Sequence, residues 1–173
     1  MDRGLVLINT GPGKGKTTAA LGVVARALGH DLKVAFIQFI KSQDTGESRF
    51  LEEMATLKPG QVYYSRRGQG FVGRNPSQTD RELALEGLEL AITLVDKYDL
   101  LVLDEVNVAM SLGLLEPSAV AEFIKNRPGT VNLLLTGRGC PDSLIPLADT
   151  VTEMLDVKHA FRAGIPARKG LDY

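Results

Sequence analysis

A three-layer α/β sandwich around a doubly wound, mostly parallel sheet is the fold this sequence predicts, and three observations predict it. Short apolar runs, LVLIN (5–9), VAFIQF (34–39), LLVLDE (100–105) and VNLLL (131–135), alternate with stretches of helical periodicity, the order that builds β-α-β units. The first run is apolar and branched enough to be covered on both faces, as strands of a parallel sheet are. It leads directly into a glycine-rich turn and a helix-forming stretch, NTGPGKGKTT at 9–18.

Each element has its own reason. From Lys16, KTTAALGVVARALG puts Ala20, Val23, Val24, Ala27 and Leu28 on one helical face, with Gly29 placed to end the helix. Val34 to Phe39 then completes a β-α-β unit of about 30 residues, whose crossover is right-handed and whose strands pair in parallel. Residues 40–76 are polar, glycine-containing and weakly periodic, which predicts site loops carrying a helix near Arg49–Leu57 and a strand near Val62–Tyr64. Ser77 reads as the N-cap of a long helix, Gln78–Tyr98, whose stripe of Ala84, Leu88, Ala91 and Val95 is core. A strand at Leu100–Glu105 ends in two carboxylates. A helix over Pro117–Asn126, a strand over Val131–Leu135, the turn TGRGCPD, a short helix and a last strand near Val151–Val157 complete one domain over 1–173.

Composition limits the ligands. The 173 residues carry a net charge of −1, so no long-range field draws in nucleic acid or an anionic membrane surface, and an anionic ligand must be met by local geometry. The single cysteine, Cys140, has no internal partner for a disulfide. Apolar runs are too short to span a bilayer, and no basic-then-apolar leader precedes the first strand, so a cytoplasmic location is expected.

The turn at Gly11, Pro12, Gly13, Lys14 and Gly15, followed by Lys16, Thr17 and Thr18, fits a phosphate cradle. Glycines let main-chain amides converge, and the helix that follows adds its positive end. Lys16 supplies a point charge from an exposed side chain, and the Thr17 hydroxyl is placed to ligate magnesium. Against the pattern G-x-x-x-x-G-K-[ST], the first glycine position falls on Thr10, with Gly11 one residue late and Lys14 an extra cation. Nucleotide-hydrolysing relatives of such loops place an acidic residue at the end of a buried strand beside the loop strand. Asp104 and Glu105 stand at such a strand end, and either one suits the metal. Together these features predict a P-loop NTPase fold of the RecA-like kind.

Beyond the loop, the chain resembles the ATP:corrinoid adenosyltransferases, the cob(I)yrinic acid a,c-diamide adenosyltransferase family of cobalamin biosynthesis and salvage. The likeness rests on TGPGKGKTTAALG (10–22), FIQFIK (36–41), Gly46-Glu47, VLDEVNVAM (102–110), TGRG (136–139), ADTVTEM (148–154) and VKHAFRAGIPARKGLDY (157–173). It implies that a Co(I) corrinoid attacks C5′ of ATP and expels triphosphate, with Mg2+ or Mn2+ bound and ATP held in the reverse sense to other P-loop proteins. It also implies Lys16, Thr17 and Glu105 as catalytic, residues 11–18 as the triphosphate cradle, Arg138 on phosphate or ribose, and Phe71 beside the corrinoid. A homodimer and a flavin-type reductase as electron donor belong to the same implication. Read without the resemblance, the residues leave open a P-loop kinase or NTPase and a nucleotide or corrinoid carrier without turnover.

The sequence departs from the family pattern in the loops. Tryptophan-bearing motifs of the family read KSQDTGE (41–47) and GQGFVGR (68–74) here, and the chain has no tryptophan. Gly73 stands where an aromatic residue would help displace cobalt's lower ligand. Because the first strand starts at Leu5, the long extension that covers the site in some members is not expected here. His159 reads as a hydrogen-bonded loop histidine, Lys158 and Arg162 as solvated, and Cys140 as a small packed side chain.

Overall fold

The computed structural model describes residues 3–70 and 76–173. Its sheet is built from β1 (Val6–Thr10), β2 (Val34–Gln38), β3 (Val62–Arg66), β4 (Leu100–Asp104), β5 (Asn132–Thr136) and β6 (Thr150–Glu153), in the order β3-β2-β4-β5-β1-β6. All six run parallel, a stricter arrangement than the mostly parallel sheet expected. The helices are α1 (Lys16–Gly29), α2 (Gly46–Leu57), α3 (Gln78–Leu94), α4 (Val106–Ser111) and α5 (Pro117–Asn126).

Period-two alternation sorts each strand's side chains into two cores. Val34, Phe36, Leu100, Val102 and Leu134 face α1 and α2, where they meet Ala20, Val24, Ala27 and Leu51. Ala35, Ile37, Leu101, Leu103, Leu133 and Leu135 face α3, α4 and α5, where they meet Ala84, Leu88, Ala91, Val106, Val120 and Ile124. Two helical layers around one sheet follow from the central strands β2, β4 and β5, which are buried on both faces. A fully buried side chain such as Phe36 anchors its layer, and truncation to alanine there costs about 3–5 kcal/mol.

Two expectations about neighbours need correction. β1 and β2 lie in one parallel sheet but do not pair, because β4 and β5 stand between them. The loop strand β1 and the carboxylate strand β4 are likewise separated by β5. The strand-end carboxylate therefore reaches the loop across one intervening strand by accepting directly from Thr17 Oγ1, while Thr136 at the end of β5 donates to the same carboxylate oxygen.

Element ends moved for visible reasons. Ser77 caps α3 as expected, in a capping box with Asp80, but the helix stops at Leu94 rather than Tyr98. The Asp99 amide must bond to Lys33 O to start β4. α1 runs through Gly29 and closes at His30. β6 ends at Glu153, where β1 gives way to the phosphate loop and the pairing strand is lost. α4, six residues long, had no periodic signal.

Candidate active site

The loop between β1 and α1 is shaped by its glycines and held from behind by the chain that leaves β6. The Gly13 amide donates to Met154 O at 2.6 Å. A Cβ on Gly13 would stand 2.6 Å from Leu155 O, so only glycine permits that approach. Gly15, at φ 109°, turns the chain into α1 from a conformation that side chains rarely adopt. The amide of Gly13 thus points away from the cradle. Those of Lys14, Gly15, Lys16, Thr17 and Thr18 have no acceptor among the described residues, and all five residues line one cleft of about 700 Å³. That row of free donors at the positive end of α1 suits an anion.

Lys16 corrects an expectation. The sequence predicts an exposed cradle side chain, whereas it is 8% exposed. Nζ donates to Gly11 O at 2.8 Å and Gly13 O at 2.6 Å, so the ammonium braces the loop while lying in the cleft wall. Burial first, then nearby Arg138, lower its pKa, while Glu105 and Asp104 oppose the shift.

Asp104 and Glu105 diverge at the end of β4. Asp104 is fully buried. Its Oδ1 accepts from Thr17 Oγ1 at 2.9 Å and Thr136 Oγ1 at 2.6 Å, and its Oδ2 accepts from Gln38 Nε2 at 2.8 Å. Tyr64 closes the chain by donating to Gln38 Oε1 at 3.0 Å. Glu105 instead occupies the left-handed region, φ 64°, and its amide donates to Thr136 Oγ1 at 3.0 Å. That backbone turns its residue into the cleft, where the carboxylate has no hydrogen-bond or ion-pair partner among the described residues. Burial first, then repulsion from Asp104, raise its pKa, against pulls from Lys41, Lys16 and Arg138.

Of the residues singled out from the sequence, the structure gathers Gly13, Lys14, Gly15, Lys16, Thr17, Thr18, Glu105 and Arg138 around the cleft. Gly11 and Pro12 are not on its wall: the first packs against Met154 and Glu153, and the second is exposed. Asp104 lies behind the wall. Phe71 and Gly73 fall outside the described residues. Arg138, exposed in the TGRG turn after β5, lines the cleft, and α4 seats that turn through Asn107 Nδ2, which donates to Gly137 O at 3.3 Å.

Residues outside the phosphate loop and the strand ends complete the cleft. Lys41, whose Nζ pairs with Glu47 Oε1 at 3.3 Å, and Phe50 come from the segment read as site loops. Gly170 to Tyr173 complete the lining. The motifs at 36–47 and 157–173 were the available signal for both groups. His159 lines the cleft too, and its Nδ1 accepts from the Phe161 amide at 3.2 Å, the local bond expected of a loop histidine. Cys140 is half-buried, and burial pushes its thiol up to about 11, which favours the neutral thiol of a packed side chain.

A parallel sheet with helices on both faces, a glycine turn opening onto a helix, and a buried acidic strand end define a P-loop nucleotide-binding protein. In fold the chain is similar to the flagellar accessory protein FlaH from Methanocaldococcus jannaschii, with a TM-score of 0.53 at 11% identity, over 88% of this chain and 72% of that one. Residues 2–173 match the family described as ATP:corrinoid adenosyltransferase BtuR/CobO/CobP. The sequence is 43% identical over 176 residues to a corrinoid adenosyltransferase of Pseudomonas aeruginosa, covering 99% of this chain and 85% of that protein. It is 37% identical over 179 residues to corrinoid adenosyltransferase CobA of Salmonella typhimurium, covering 99% and 87%. The chain belongs to the ATP:corrinoid adenosyltransferase family, enzymes that transfer the adenosyl group of ATP to a corrinoid.

Proposed function

We propose that the cleft holds ATP with its triphosphate on the amides of Lys14 to Thr18, so that the phosphate loop grips a leaving group. The carrying observation is that row of donors without acceptors. In this reading the Co(I) centre of a bound corrinoid supplies an electron pair to C5′, a cobalt-carbon bond forms, the C5′-O bond breaks, and its pair departs on triphosphate. Cobalt ends two electrons more oxidised, and no proton transfer is required. Charge develops on the departing oxygen, and fixed donors already aimed there lower the barrier without reorganising. Lys16 adds its charge, Arg138 meets phosphate or ribose, and Gly11, Pro12 and Gly13 shape the turn. Phe71 is assigned to the corrinoid side.

The donor set suits a hard divalent cation. Thr17 Oγ1 donates its hydrogen bond to Asp104, which leaves its lone pairs free, and Glu105 offers an unpartnered carboxylate. The described residues contain no cluster of three or more metal-binding side chains, so the other positions would fall to phosphate and water, the pattern of Mg2+ or Mn2+. Such an ion would neutralise charge on the departing triphosphate. Between the two carboxylates, Glu105 is the one we assign to the ion, and Asp104 to holding Thr17.

The wider reading places the enzyme in the cytoplasm as a homodimer served by a flavin-type reductase. No helix among the described residues is long and apolar enough to cross a membrane. Anaerobic incubation with MgATP and chemically reduced cobalamin tests the chemistry. Adenosylation followed by absorbance, with triphosphate released in equal amount, is expected. ADP or orthophosphate as the product would overturn it in favour of phosphoryl transfer.

A further inference from the structure

Lys14, the extra cation of the variant loop, does not face the cleft unengaged. Its Nζ donates to Leu171 O at 2.7 Å and pairs with the carboxylate of Asp172, far along the chain. The other carboxylate oxygen of Asp172 accepts from the Arg168 amide at 2.7 Å. The amides of Leu171 and Asp172 bond Arg168 O at 3.1 and 2.8 Å. Residues 168–172 therefore form a closed turn that presents one anion to the phosphate loop. Gly170 to Tyr173 also line the cleft, and Tyr173 lies against Gly46, where an added Cβ would stand 3.8 Å from the Tyr173 carbonyl carbon. Pairing with Lys14 holds the Asp172 carboxyl below the usual range.

The other cations of the wall are held differently. Lys41 pairs with Glu47 within its own segment, Lys16 bonds loop carbonyls, and Arg138 has no ion-pair partner among the described residues. Lys14 alone of these is tied to a distant carboxylate. A polyanion entering the cleft meets that carboxylate as a like charge, and finds Lys14 already neutralised. Exposed pairs of this kind are weak, so a polyphosphate that also gains the amides can displace one.

We propose that Asp172 is an internal anion that competes with polyphosphate for Lys14, so that the turn at 168–173 opens as nucleotide binds and re-pairs as triphosphate leaves. This rests on reading the loop as the triphosphate site, and it adds how that site is tuned. Asp172 would weaken the hold on triphosphate and so favour its release, at the same lysine that extends the cradle.

Titration calorimetry with inorganic triphosphate and Mg2+ tests this on the wild type, Asp172→Asn, Lys14→Ala and the double variant. Asparagine keeps an acceptor for the Arg168 amide but removes the charge. Asp172→Asn is expected to bind about fivefold more tightly, Lys14→Ala more weakly, and the double variant no better than Lys14→Ala. Equal affinity in Asp172→Asn, or the same gain without Lys14, overturns the competition while leaving the triphosphate site standing. No binding by any of the four proteins overturns that site, and the competition with it. A second measurement needs no variant: in the wild type, tryptic cleavage after Arg168 and Lys169 should quicken when Mg2+ and triphosphate are added. Slower cleavage would mean that the turn closes over the ligand, which contradicts the proposal.

Discussion

Thr17 stands on the boundary between two regions with opposite habits. Behind it, polar groups are saturated: Asp104 takes three side-chain hydrogen bonds, and Gln38 passes the chain on to Tyr64. In front of it, a row of amides from Lys14 to Thr18 and the Glu105 carboxylate have no partner among the described residues. Buried donors left unpaired are costly, and the open cleft lets water occupy them until a ligand does. The region behind sets geometry, and the region in front is left incomplete for what binds. Glu105 belongs to the second region by its backbone as well, since a glutamate at φ 64° is strained by about 1–3 kcal/mol.

The sharpest break of that contrast is at Lys16, whose charge serves the front while its ammonium braces the loop. Lys16→Ala should lower the adenosylation rate by roughly 10³-fold, on the scale of removing a preorganised donor for developing charge. Because Gly11 O and Gly13 O lose their donor, unfolding should also become easier by about 1–2 kcal/mol. Steady-state turnover and denaturant melts read the two effects separately. Turnover near that of the wild type would mean that the free amides are not where triphosphate sits.

Asp104→Ala cuts behind Thr17 instead and should act chiefly on stability. It strands the buried Thr136 hydroxyl and Gln38 amide and removes the acceptor of the Thr17 hydroxyl at the cleft wall, at a cost of about 3 kcal/mol. The check is a shift of the urea midpoint at constant slope. If the variant proved as stable as the wild type, the network behind the loop would not be structural.

How far these regions could be read in advance differs between them. The front was legible because glycines, Lys16 and Thr17 are contiguous, and a local pattern suffices to place them on one turn. The network behind was not, since it joins Thr17 to residues from β2, β3, β4 and β5, and strand order is set by crossovers rather than by any local signal. Hence β5 was not expected between the loop strand and Asp104. The same limit hid the tie from Gly13 to Met154 and the pairing of Lys14 with Asp172. Lys16 was misjudged for another reason: a loop lysine reads as solvated, and only the carbonyls that the turn points inward make burial tolerable. α4 is too short to show a period, and the left-handed step at Glu105 that precedes it has no signature in a non-glycine residue.

The smallest effect separates the neighbouring carboxylates. Burial and the charge of Asp104 hold the pKa of Glu105 above its ordinary value, so the folded state binds that proton more tightly than the unfolded chain does. Its contribution to stability is complete below the unfolded pKa and is lost as pH rises through the raised folded one. At neutral pH the ionised carboxylate is therefore kept at a cost, which Glu105→Gln removes without changing the side chain's size. Glu105→Gln should melt at or slightly above the wild-type temperature, while adenosylation falls about 10- to 100-fold and added Mg2+ with triphosphate stabilises it less. Thermal melts with and without those ligands, beside turnover, decide the matter. A variant that melts lower but turns over normally would move Glu105 into the structural region and leave the front of the loop without its carboxylate.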